Sequence, residues 1–111
     1  MPGKLTTHVL DTAKGIPAAN LKIELWLANA PRRQMLKTFL TNAEGRTDAP
    51  LLGPTEMVAD EYVLRFFIGD YFGDKSFLDV VPVRFRISDE AASYHVPLLC
   101  SPWSYTTYRG S

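Results

Sequence analysis

Histidine is the side chain whose ordinary pKa lies nearest neutrality, and this 111-residue chain holds two, His8 and His95. In Leu5-Thr6-Thr7-His8-Val9-Leu10-Asp11 an extended backbone puts Thr6, His8 and Leu10 on one face and Thr7 and Val9 on the other. In Tyr94-His95-Val96-Pro97-Leu98-Leu99-Cys100-Ser101, His95 shares a face with Pro97 and Leu99 in a run nearly devoid of charge, which predicts a partly buried ring. A partly desolvated imidazole stays neutral at cellular pH and can take a proton from water. The competing reading is that each ring is structural and makes one hydrogen bond to a carbonyl or hydroxyl. Arg46 follows Asn42-Ala43-Glu44-Gly45, a turn with glycine at its left-handed position. A guanidinium at that exit is either a plain surface charge or a rigid fork for the carbonyl or anionic oxygens of a planar ligand.

Other chemistries find little support. Cys100 is the only cysteine, so an intrachain disulfide is excluded, and its neighbours Leu98, Leu99 and Pro102 suit a buried small hydrophobe better than a nucleophile. There is no Cys-x-x-Cys or His-x-x-x-His spacing for a metal, no Gly-x-Ser-x-Gly elbow and no glycine-rich phosphate cradle. Asp89-Glu90 reads as a solvated turn rather than a catalytic carboxylate pair. Twelve Lys and Arg balance twelve Asp and Glu, which removes the basic footprint needed to grip nucleic acid or an anionic membrane. No stretch reaches membrane-spanning length, Met1 to Lys4 lacks the apolar core of a signal peptide, and Arg109-Gly110-Ser111 matches no retention or peroxisomal address. A cytoplasmic location is expected.

The elements that must position these residues have a period of two. Leu21, Ile23, Leu25 and Leu27 alternate with Lys22 and Glu24; Tyr62, Leu64, Phe66 and Ile68 with Val63, Arg65 and Phe67; Val81, Val83, Phe85 and Ile87 with Pro82, Arg84, Arg86 and Ser88. These are half-buried strands. Pro82 lacks a backbone donor, so its strand starts there, bulges there or turns that edge away from a partner. Turn signals at Lys14-Gly15-Ile16-Pro17, Asn42 to Gly45, Leu52-Gly53-Pro54 and Gly69-Asp70-Tyr71 recur at short intervals. With one helical turn expected within Asp70 to Asp79, this pattern predicts an all-β sandwich or barrel, one domain spanning residues 1–111. Trp26 opposite Leu25, Phe67 opposite Phe66, and Trp103, Tyr105 and Tyr108 are an aromatic surplus that self-association would cover.

Three stretches carry a family resemblance over nearly the whole chain: Leu5-Thr6-Thr7-His8-Val9-Leu10-Asp11 running on to Ala19, Thr41 to Asp48, and Tyr94 to the closing Tyr108-Arg109-Gly110-Ser111. In order and spacing they resemble the transthyretin-like 5-hydroxyisourate hydrolases, the final tetrapeptide being the most specific element. The hormone-carrying transthyretins resemble the Leu98-to-Tyr105 segment but lack that tetrapeptide and the histidine pair. The resemblance implies an eight-stranded transthyretin-like sandwich of two four-stranded sheets with one short helix. It implies a homotetramer, a dimer of dimers, with active sites in a channel between dimers and each site built from more than one subunit. It puts His8, Arg46, His95 and Ser111 in catalysis, and His8, Arg46 and Tyr108 in substrate binding. The implied reaction is hydrolytic opening of 5-hydroxyisourate to 2-oxo-4-hydroxy-4-carboxy-5-ureidoimidazoline, with neither metal nor organic cofactor. A small-ligand carrier of the same fold and a purely structural sandwich are the alternatives.

Overall fold

The computed structural model describes residues 3–111; the reading of Met1 to Lys4 therefore falls partly outside the described residues. The elements in chain order are β1 (Leu5–Thr6), β2 (Val9–Asp11), β3 (Ile16–Pro17), β4 (Lys22–Leu27), β5 (Gln34–Leu40), β6 (Asp60–Phe67), α1 (Ile68–Phe72), β7 (Val80–Ile87), β8 (Tyr94–His95), β9 (Leu98–Cys100) and β10 (Tyr105–Thr107). One sheet runs β5-β4-β6-β7, all antiparallel. The other runs β10-β9-β2-β3, with β2 and β9 parallel, and β1-β8 is a further parallel pair.

β1-β8 and β2-β9 are two halves of one ladder. Leu5↔Tyr94 and Thr6↔His95 keep the same register as Val9↔Leu98 and Leu10↔Leu99. Backbone bonds from Tyr94, Val96 and Leu98 N–H to the carbonyls of Lys4, Thr6 and His8, at 2.8, 2.9 and 3.0 Å, carry the pairing across the interruption. β10 extends this sheet on the other side through Tyr105↔Cys100 and Thr107↔Leu98. Its antiparallel register, continued past the end of the strand, meets the isolated bridge His95↔Gly110. Pro97, which has no N–H to give, stands at the lapse between.

The alternating apolar residues meet between the sheets. Ile23, Leu25, Leu64, Phe66 and Val81 from one sheet and Leu5, Val9, Leu98 and Cys100 from the other are at most 1% exposed. Each such side chain removed from water contributes roughly 1.5–3 kcal/mol, so a one-residue slip of any strand, which would turn this set outward, is strongly disfavoured. Pro82 is explained by position: β7 is an edge strand, paired only with β6.

Two sequence expectations change. The helix begins at Ile68 rather than Asp70, so Gly69-Asp70-Tyr71 is helical instead of a turn, and it ends before Gly73, whose φ of +67° caps it in the left-handed region. What draws the helix in is packing: Ile68 and Gly69 are buried and the Tyr71 hydroxyl donates to Asp11 Oδ2 at 2.8 Å. Ile16–Pro17, read as part of a turn, pairs with β2 as a short strand. The outward aromatics Phe67 and Trp26 of the β5-β4-β6-β7 sheet have cations over their rings. Lys22 Nζ stands 4.6 Å from the Phe67 ring centre, and the Arg65 guanidinium lies 5.4 Å from Phe67 and 5.9 Å from Trp26. Cations over aromatic faces shield part of these rings within the chain.

Candidate active site

The parallel ladder places the two histidines on one face. Leu5, Thr7 and Val9 point into the core, so Thr6, His8 and Leu10 point out; Tyr94, Val96 and Leu98 are buried, so His95 and Leu99 point out with them. By register Thr6 lies directly across from His95, and His8 lies across from Pro97. That makes His8 and His95 diagonal neighbours on the sheet face, placed so that one ligand can meet both imidazoles. On the other side of the 94–100 segment, Gly110 lies across from His95, and the continued register sets Tyr108 across from Pro97.

Arg46 reaches this face from the 42–46 turn. Thr41 is buried, its hydroxyl donating to the Ala18 carbonyl at 2.6 Å and accepting from Leu21 N–H at 2.9 Å. From that anchor Asn42 closes the turn: its Oδ1 accepts from Glu44 and Arg46 N–H at 2.9 and 3.1 Å, and its N–H donates to the Arg46 carbonyl at 2.7 Å. Val9 N–H donates to the Gly45 carbonyl at 2.8 Å, so the residue after His8 is tied to the residue before Arg46. Gly45 has φ +76°, and a Cβ there would run into the Val9 carbonyl oxygen; only glycine suits this position. Arg46 is exposed and lines a depression of about 190 Å³ together with Thr6. Among the described residues no carboxylate lies within salt-bridge distance of it.

The electrostatics link the three. Burial, the Arg46 guanidinium and His8 together hold the His95 imidazole below its ordinary pKa, with the Thr6 backbone opposing. His95 Nδ1 lies 2.9 Å from Thr6 Oγ1. On the opposite flank Gly110 N–H donates to the His95 carbonyl at 2.7 Å, and a Cβ on Gly110 would stand 2.5 Å from His95 Cδ2. Arg109 turns back over the Tyr94 ring at 4.3 Å and fastens the tail. Tyr108 is 56% exposed and also borders a cavity of about 390 Å³ between β7 and the tail.

The structure thus brings together His8, Arg46 and His95 and sets Gly110 of the tail against His95. Thr6 and Gly110 are contacts that the residue pattern did not single out as partners of His95; Thr6 was visible only as a neighbour of His8 on its face. Cys100 lies apart in the core, fully buried, its Sγ 3.6 Å from the Leu10 carbonyl and its thiol pushed up to about 12 by burial and then by the nearby Asp11 charge. Asp89 and Glu90 are exposed and accept from the Ala91 and Ala59 N–H groups, as turn residues do.

The model of the HIUase/Transthyretin family matches residues 5–110, the span that carries every one of these groups except Ser111. The chain belongs to that family. Among its relatives are the 5-hydroxyisourate hydrolase of Mesorhizobium japonicum, 55% identical with 98% of this chain and 93% of that protein aligned, and that of Ralstonia nicotianae, 52% identical with 98% and 99% aligned. A solved structure of the Klebsiella pneumoniae 5-hydroxyisourate hydrolase superposes with a TM-score of 0.81 at 30% identity, covering 98% of this chain and 94% of that one. The family's transthyretin fold is the two-sheet sandwich described above.

Proposed function

We propose that this chain is a 5-hydroxyisourate hydrolase, opening the six-membered ring by attack of water on the ring amide. The observation that carries this reading is the half-buried His95 on one sheet face with His8, its Nδ1 against Thr6 and its pKa held below the ordinary value by burial and then by Arg46 and His8. A neutral imidazole accepts the proton of the attacking water as the new C–O bond forms. Arg46, always protonated and free of a carboxylate partner among the described residues, supports the negative charge that gathers on the carbonyl oxygen. The C–N bond of the amide then breaks, the ring nitrogen leaves with a proton, and the carbonyl carbon becomes the carboxylate of 2-oxo-4-hydroxy-4-carboxy-5-ureidoimidazoline. His8 holds the substrate from the diagonal position, the exposed Tyr108 ring offers a face for it, and Ser111 orients water or substrate. Each step uses only the chain's own side chains and water.

The active form in this reading is a cytoplasmic homotetramer of single-domain subunits. Support comes from the histidine-bearing sheet face, which presents half-exposed Leu10 and Leu99 and the exposed Pro17 beside the polar groups. A second subunit would cover these and exclude water from the reacting carbonyl.

The test is the ultraviolet absorbance of 5-hydroxyisourate, generated freshly with urate oxidase, with and without the protein. Decay that accelerates in proportion to protein concentration is expected. Decay at the spontaneous rate in the presence of folded protein would contradict the enzyme reading and leave a small-ligand carrier in its place.

A further inference from the structure

His95 is held from two sides, and the two contacts act on different edges of its ring. Gly110 packs against Cδ2, Cγ and Cβ. Thr6 stands at Nδ1, its hydroxyl 2.9 Å away across one strand spacing. Among the described residues Nε2 has no hydrogen-bond partner. Which nitrogen of a neutral imidazole bears the proton is set by the hydrogen bond made at the other. If Nδ1–H donates to Thr6, the lone pair is on Nε2 and the ring can accept a proton from water there. If the Thr6 hydroxyl donated to Nδ1 instead, Nε2 would carry a hydrogen and could only give one.

We propose that Thr6 is a positioning residue that accepts a hydrogen bond from His95 Nδ1–H and so keeps the Nε2 lone pair facing the substrate. The Thr6 backbone also favours a proton on the His95 ring. Its branched Cβ restricts χ1, so the hydroxyl is held in place at small entropic cost. The same ladder bond that sets the register, Val96 N–H to the Thr6 carbonyl at 2.9 Å, fixes the backbone beneath. The proposal rests on the hydrolase reading and on His95 as its base. It adds the residue that selects the tautomer.

The experiment pairs Thr6→Val, which keeps the shape and loses the acceptor, with Thr6→Ser, which keeps the hydroxyl. Two quantities are read: steady-state turnover of 5-hydroxyisourate and the ¹⁵N chemical shifts of the His95 ring. In the unmodified protein the shifts should show a hydrogen-bearing Nδ1 and a bare Nε2. Thr6→Val should move them toward the opposite tautomer and lower kcat about 10–100-fold, the range seen when a residue orienting a histidine is lost, with KM little changed; Thr6→Ser should restore both. A hydrogen on Nε2 in the unmodified protein, or ring shifts unchanged in Thr6→Val, overturns the proposal whatever the kinetics. Failure of the underlying reading looks different: His95→Asn would retain full turnover while the tautomer shift in Thr6→Val still occurred.

Discussion

Gly110 lies beside His95, donating its N–H to the His95 carbonyl at 2.7 Å and leaving only 2.5 Å between a would-be Cβ and the ring's Cδ2. The tail and the His95 ring are therefore one mechanical unit, and position 110 is glycine because the ring occupies the space of a side chain. Gly110→Ala should push the imidazole off Thr6 while the core remains folded. A displacement of about 1 Å at a catalytic group costs on the order of 10²-fold, so kcat should fall by about that factor with an unchanged circular dichroism spectrum. Full turnover in Gly110→Ala would show that the ring tolerates the shift.

The pH dependence follows from the sign of the His95 shift. Burial, Arg46 and His8 all disfavour the imidazolium, so the acid limb of kcat/KM should lie below the ordinary imidazole value of about 6.5. Removing one positive charge by Arg46→Gln should raise the His95 midpoint, followed by ring proton shifts across a pH series. The same depression acts on stability: the unfolded chain takes up its proton first, so stability should be flat above about pH 6.5 and fall as the pH drops from there toward the folded-state value. A midpoint that moved down in Arg46→Gln would contradict the assigned cause.

The turn before Arg46 should fail with any Cβ at Gly45. The left-handed φ of +76° and the Val9 carbonyl oxygen in the way act together; strain of this kind costs roughly 1–3 kcal/mol. Gly45→Ala should therefore lower the melting temperature by several degrees and weaken turnover, because Val9, next to His8, donates its N–H to the Gly45 carbonyl. An unchanged melting curve would mean that the turn can reform without that bond.

Cys100 should be silent toward thiol reagents in the native protein. The thiolate is the reactive form, and here the thiol is fully buried and pushed up to about 12. One thiol per chain should titrate with an Ellman-type reagent only after denaturation. Modification of the folded protein with parallel loss of turnover would restore a nucleophilic role for Cys100.

How far these features were legible depends on their range along the chain. The strands at Lys22–Leu27, Asp60–Phe67 and Val80–Ile87 announce themselves because alternate residues must choose between core and solvent. Strand β5 is harder to read, since only Leu36, Lys37 and Phe39 are half-buried and a bulge after Leu25 breaks its pairing with β4. The five-residue helix has too few turns to show a period, and its start is decided by Tyr71 reaching Asp11, 60 positions away. His8, His95 and Arg46 could be suspected from residue type and turn chemistry. Their convergence could not be read locally, because it depends on a parallel register that pairs Thr6 with His95 across 89 positions.

The most direct test of the account is the turnover of His95→Asn beside the unmodified protein, with the folded state of both checked by circular dichroism and their size in solution by light scattering. A folded variant of unchanged size that decays 5-hydroxyisourate at least about 100-fold more slowly than the unmodified protein is expected, in keeping with what a positioned general base contributes. A variant equally well folded that turns over substrate at the unmodified rate would remove His95 from the chemistry and contradict the site described here.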